Sequence, residues 1–141
     1  MISYQAKILK DGSSYSVEFP DLPGCFSMGE TLDEAKEMAS DALSLYLEEA
    51  RDPKWKVPEA KKRTGKNYYW IQPRFDVAIA LIIRRARIKH GLTQSQLAKR
   101  IGVTTQQLQK LETPGKSNPT VKTLAAISHA LNETLNIQLA S

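Results

Sequence analysis

The sequence predicts an α+β chain: a β-β-β-α-β unit followed by an all-helical helix-turn-helix unit with a short C-terminal strand. Three observations carry this reading. Apolar residues alternate every second position near the N-terminus and follow a helical period after residue 31. Thr-x-x-Glu/Gln patterns recur at Thr31/Glu34, Thr93/Gln96 and Thr104/Gln107, each a capping box that opens a helix. The charge also divides: residues 1–52 hold four basic groups against eleven acidic ones, and the rest of the chain sixteen against four, or −7 and +12.

The elements follow in order. Tyr4, Ala6 and Ile8 alternate with Gln5 and Lys7, Asp11-Gly12 makes a turn, and Tyr15, Val17 and Phe19 alternate again, which reads as a β-hairpin. Pro20 and Asp21-Leu22-Pro23-Gly24 end the second strand in turn chemistry, and residues 25–28 form a third. A helix from Thr31 to about residue 50 buries Leu32, Ala35, Ala39, Ala42, Leu43 and Tyr46 and turns Asp33, Glu37, Asp41 and Glu48 outward. Residues 51–66, interrupted by Pro53, Pro58 and Gly65, form a connection. Tyr68-Tyr69-Trp70-Ile71-Gln72 then reads as a strand whose aromatics enter the core. The first domain is therefore expected at 1–74 and the second at 75–141.

In the second domain, residues 77–89 run apolar then basic (Arg84, Arg85, Arg87, Lys89), an order that suits the negative end of the helix dipole. Two short capped helices follow, separated by Ile101-Gly102-Val103, and then a fourth at about 120–131 with Val121, Leu124, Ile127 and Leu131 on one stripe. Leu135, Ile137 and Leu139 alternate like a strand that lacks a neighbour in its own chain, which suits pairing with a second copy.

Length and composition exclude much. At 141 residues the chain is one domain or two small ones. No apolar run is long enough to span a membrane, and the N-terminus lacks the charge order of a signal peptide, so a cytoplasmic protein is expected. One cysteine, Cys25, builds neither a disulfide framework nor a cysteine zinc site, and His90 and His129 lack ligand partners at metal-site spacing. No cofactor, metal or catalytic residue is expected. Asp11, Glu18, Asp21, Asp33 and Glu34 raise the thought of a metal-dependent nuclease, but capping accounts for Glu34 and turn formation for Asp21.

Residues 92–112 form the helix-turn-helix, the unit that lays its second helix in the major groove. Leu97, Ala98, Ile101, Val103, Leu108 and Leu111 can clamp the pair. At about 100° per residue, Gln106 then points away from the buried side, flanked by Gln109 and Lys110, with Thr105 nearer the edge. Glutamine reads adenine and lysine reads guanine or phosphate. Backbone donors near Thr93 and Thr104 are seats for phosphate, and Gln107 is expected to serve in capping.

The Leu-Thr-Gln-x-x-Leu-Ala-x-x-Ile-Gly-Val core, the Leu-Glu ending and Pro-Thr-Val-Lys-Thr-Leu-Ala at 119–125 resemble the phage-repressor-like Xre-type regulators. That resemblance implies a phosphate-anchoring role for Gln94 and base-facing roles for Thr105, Gln106 and Lys110. The Tyr-x-Val-x-Phe-Pro-Asp-Leu-Pro-Gly-Cys run and the Gly-Glu-Thr-x-x-Glu-Ala helix start, residues 15–35, resemble antitoxins of the HicA–HicB type. This second resemblance implies a partial ribonuclease-H-like N-terminal domain that covers a small basic mRNA-cleaving HicA-like toxin. It also implies a non-enzymatic role and a C-terminal domain that binds operator DNA and represses the shared operon. Toxin contacts are expected at Phe19, Asp21, Leu22, Pro23 and Phe26, and a homodimer or tetramer through the C-terminal domain. The competing reading is a free-standing Xre-type transcriptional regulator with an N-terminal ligand-sensing domain.

Overall fold

The structure, a computed structural model, describes residues 2–52 and 55–139. β1 (Tyr4–Asp11), β2 (Ser14–Glu18), β3 (Phe26–Gly29) and β4 (Tyr68–Ile71) form one antiparallel sheet in the order β3-β2-β1-β4. α1 (Leu32–Glu48) lies on one face of it, burying Ala35, Ala39, Leu43 and Leu47 against Tyr4, Ala6, Ile8 and Val17. The alanines let helix and sheet approach closely. At Gly29 a Cβ would stand 2.5 Å from the backbone nitrogen of Ala35, so only glycine fits there. At the start of α1 the expected box forms by half: Thr31 Oγ1 accepts from Glu34 N–H at 3.1 Å, but the Glu34 carboxylate takes the N–H of Glu30.

The connection is irregular in backbone and firmly attached. Gln5 alternates with Tyr4 and Ala6, so it faces the side of the sheet away from α1, yet it is buried there. Its amide Oε1 accepts from Arg63 N–H and its Nε2 donates to Arg63 C=O, as another strand would. Tyr4 donates its hydroxyl proton to Pro58 C=O, and Trp55 packs edge-on against Tyr46 at 6.4 Å. Asp21 accepts from Lys61 N–H and forms a two-pronged pair with Arg63 at 2.7 and 2.9 Å.

α2 (Phe75–Lys89) belongs to both cores. Its Val77 and Leu81 complete the sheet cluster, whereas Ile83 joins Leu97, Ala98, Leu108, Ile127 and Leu131 among α3 (Gln94–Ile101), α4 (Thr105–Leu111) and α5 (Val121–Leu131). Gly102 ends α3 in a left-handed conformation (φ 76°), which reverses the chain within three residues to reach α4.

Four expectations are corrected. Residues 133–139 form no strand: a strand needs a hydrogen-bonding neighbour, and the single chain supplies none there. Val121, the first residue of α5, is 66% exposed and off the buried stripe of Ile127 and Leu131. Trp70 is half exposed, since it pairs with Gln5 on the outer sheet face, while Tyr69 packs inward and carries Lys36 over its ring at 4.6 Å. Arg84 and Arg87 do not decorate the exposed end of α2 but point inward.

Candidate functional site

One candidate surface lies on each half. On the helical half, Thr93 and Thr104 close α3 and α4 in full capping boxes. Each Oγ1 accepts, at 3.1 Å, from the N–H three residues ahead, and each glutamine Oε1 takes the threonine N–H in return, at 2.9 and 2.8 Å. These caps set the helix starts without help from any partner. With Leu108 buried and Leu111 half-buried, the α4 side chains Gln106, Gln109 and Lys110 stand exposed. Thr105 is half-buried, its hydroxyl 3.3 Å from that of Ser95 on α3. The N–H groups of Thr93 and Thr104 themselves are donated within the caps, to Gln96 and Gln107, so any helix-start donors offered to phosphate are those of the residues that follow.

The site's rigidity comes from Glu112, whose side chain is 1% exposed at the end of α4. Its carboxylate accepts from Arg87 Nε and Nη2 at 2.7 and 2.8 Å, and from Gln94 Nε2 at 3.3 Å. Its carbonyl accepts from Arg84 Nη2 at 2.8 Å, and Arg87 Nη1 donates to Leu92 C=O. Buried charge is tolerable when paired and hydrogen-bonded, and this cluster pins α2, α3 and α4 together. Gln94 is therefore half-buried with its amide turned toward Glu112. Glu112 and the two arginines were missed as a node. The available signal was their phase: Val77, Ala80, Arg84 and Arg87 share one helical face.

On the sheet half, the expected contact residues separate. Phe19 and Leu22, 1% and 0% exposed, are core, so their side chains offer no surface to a partner. The physical reason is the tight turn Phe19–Cys25, in which Leu22 N–H bonds Phe19 C=O and Cys25 N–H bonds Leu22 C=O, folding both side chains under the sheet end. Asp21 is held by Arg63, which keeps its carboxyl below the usual range; burial opposes this, and the Lys61 N–H adds to the lowering. Pro23 and Phe26 are exposed. Phe26 (64%) pairs with Glu18, and Met28 (63%) with Ser16, on the outer face that also carries Leu9 and Trp70. Strand phase was the missed signal: with Val17 inside, the residues facing Ser16 and Glu18 must be outside.

Cys25 is buried, and burial pushes its thiol up to about 11, which leaves it an unreactive packing group. His90 instead joins Lys89 in binding Glu133, at 2.9 and 3.0 Å, and His129 is exposed on α5. Among the described residues no group of three or more His, Cys, Asp or Glu could hold a metal ion, and no helix is long and apolar enough to cross a membrane.

The family described as the HicB-like antitoxin of bacterial toxin-antitoxin system matches residues 4–123. Antitoxin HicB 1 of Photorhabdus laumondii is 34% identical over 127 residues, covering 88% of this chain and 79% of that protein. Antitoxin HicB 2 of the same organism is 25% identical over 95% of this chain and 94% of its own length. Antitoxin HicB of Escherichia coli K12 is 30% identical over 69% of this chain and 70% of its own. With the family match running from β1 into α5, this chain belongs to the HicB-like antitoxins of bacterial toxin-antitoxin systems.

Proposed function

We propose that the chain neutralises a HicA-like mRNA-cleaving toxin by direct binding through its sheet half, residues 1–74, and represses its own operon by binding DNA through residues 75–141. It works without a catalytic step of its own, in the cytoplasm where both targets lie. The observation that carries the DNA reading is the exposed strip Gln106, Gln109 and Lys110 on a short helix that is capped at its start and anchored at its end by Glu112. In the helix-turn-helix reading, α4 is about 10 Å long and enters a major groove about 12 Å wide. Gln106 meets a base edge, with Thr105 and Lys110 beside it, while Gln94 and the start of α3 face phosphate. The exposed lysines of this half, among them Lys99, Lys110, Lys116 and Lys122, supply the sequence-independent attraction.

The toxin reading rests on the family and on the outer sheet face. Phe26 and Met28 form an exposed apolar pair within residues 1–52, the segment of net charge −7, a composition that suits a basic partner. Leu135, Ile137 and Leu139, exposed beyond α5, are the segment offered to a second copy.

The test is co-purification. A tagged full-length chain, co-expressed with the small basic protein encoded beside it, should hold that protein through a salt wash and stop its cleavage of RNA. It should also retard DNA from upstream of its own gene and not a scrambled duplex. Failure to retain or inhibit the neighbour overturns the toxin reading, and equal retardation of both duplexes overturns the operator reading. Light scattering of a chain lacking residues 135–141 tests the dimer: the predicted result is half the mass, and an unchanged mass contradicts it.

A further inference from the structure

The sheet half is not uniformly acidic. Residues 1–52 carry the −7 charge, but residues 55–72 hold five basic groups against one acidic, Glu59. The fold lays much of this stretch along the outer face of the sheet. Gln5 faces away from α1, and its side chain holds both the N–H and the C=O of Arg63. The cross-strand partner of Gln5 is Trp70, whose side chain therefore stands on the same face, where it is half exposed. Gly65 lies against the ring of Tyr68, where an added Cβ would come within 3.2 Å, and Asn67 C=O accepts from Ile8 N–H. The Arg63 guanidinium is taken up by Asp21, whereas Lys61, Lys62 and Lys66 keep exposed side chains. A segment tethered by its backbone thus fixes three lysines beside an exposed indole. Every nucleobase has a π-face to stack on such a ring, and the lysines suit the phosphates on either side of it.

We propose that this strip binds single-stranded RNA, with a base stacked on Trp70 and the neighbouring phosphates on Lys61, Lys62 and Lys66. A duplex does not suit it, because its bases are already stacked on one another. Thr64 and Asn67, exposed on the same segment, offer uncharged donors and acceptors to the 2′-hydroxyl that marks RNA. The strip is separate from the apolar pair Phe26 and Met28. β4 and β3 are opposite edges of the sheet, three strand spacings or about 14 Å apart. This RNA contact goes beyond the antitoxin reading and does not depend on it.

The chain has two tryptophans, so Trp55→Phe leaves Trp70 as the only one, and its fluorescence then reports on the strip apart from any nucleic acid held by the helical half. Titration of the full-length Trp55→Phe chain with a short oligouridylate, at one fixed salt concentration, should give saturable quenching. Lys61→Gln, Lys62→Gln and Lys66→Gln together should weaken it and lower the slope of log affinity against log salt by about two, at roughly 0.7 per phosphate. In the otherwise unchanged chain, Trp70→Ala should weaken binding of a labelled oligouridylate at least about fivefold, and Trp70→Phe should recover most of the loss; this pair decides the matter if Trp55→Phe does not fold. An annealed RNA duplex of the same length should leave Trp70 unquenched. Absence of saturable quenching, quenching by the duplex as strong as by the single strand, or an affinity unchanged by the lysine replacements or by Trp70→Ala would overturn the strip. Oligodeoxyuridylate, which lacks only the 2′-hydroxyl, should bind more weakly than oligouridylate, and equal or tighter binding would overturn the assignment to RNA.

Discussion

The turn at residues 19–26 and the turn between α3 and α4 are both dense in signature residues, and they use them in opposite ways. The first spends its motif on folding: Phe19, Leu22 and Cys25 are buried, and Asp21 is consumed in tying Arg63 and Lys61 to the sheet. The second spends Thr104 and Gln107 on a cap and thereby frees Gln106, Gln109 and Lys110 to face solvent. A capped helix start fixes the phase of every following side chain, so exposure can be read from number alone. A proline–glycine turn has no such period, and its side chains go wherever local hydrogen bonds send them. A signature is therefore a surface only where its geometry leaves the side chains outside.

This contrast can be broken by substitution. The largest effect belongs to the anchor of the exposed helix. Glu112→Ala strands Arg87 without its buried partner and should cost about 3–5 kcal/mol in urea unfolding. A change within 1 kcal/mol would mean that α4 is held by its apolar contacts alone. In the first turn, Leu22→Ala should cost about 2–5 kcal/mol as a cavity, while Phe26→Ala, four residues on, should stay within about 0.5 kcal/mol. Equal losses at the two positions would erase the inside–outside distinction.

Thr104→Ala removes the side-chain half of the α4 cap and should cost about 1 kcal/mol, with Thr104→Ser restoring most of it. The smallest effect is acid dependence at Asp21. Its folded carboxyl lies below the unfolded value, so its contribution is present above about pH 4 and is lost as pH falls through the folded value. Asp21→Asn should flatten that part of the stability profile. A profile unchanged from pH 6 to 3 would show that the Arg63 pair contributes nothing.

The helical half was the more legible in sequence. Two of its four expected helix starts rest on capping boxes that formed in full, and the α4 strip emerged with the exposure its period demanded. The four strands followed from alternation and turn residues, but the destination of the connection did not. Nothing local marks Gln5 as the partner of the Arg63 backbone, because that contact spans 58 residues and depends on the sheet already existing. Arg84 and Arg87 misled for a related reason. Basic residues near a helix C-terminus have a sufficient local explanation in the dipole, and only the buried Glu112, 25 residues from Arg87, reveals the tertiary one.

The central claim is that the two halves carry separable surfaces, and Gln106→Ala tests it most directly. Affinity for the upstream DNA and for a scrambled duplex should be measured at one fixed salt concentration, beside inhibition of the toxin by the same preparation. The account predicts a loss of about 1–3 kcal/mol on the upstream duplex, little change on the scrambled one, and full toxin inhibition. Equal losses on both duplexes, or loss of toxin inhibition together with DNA binding, would contradict it.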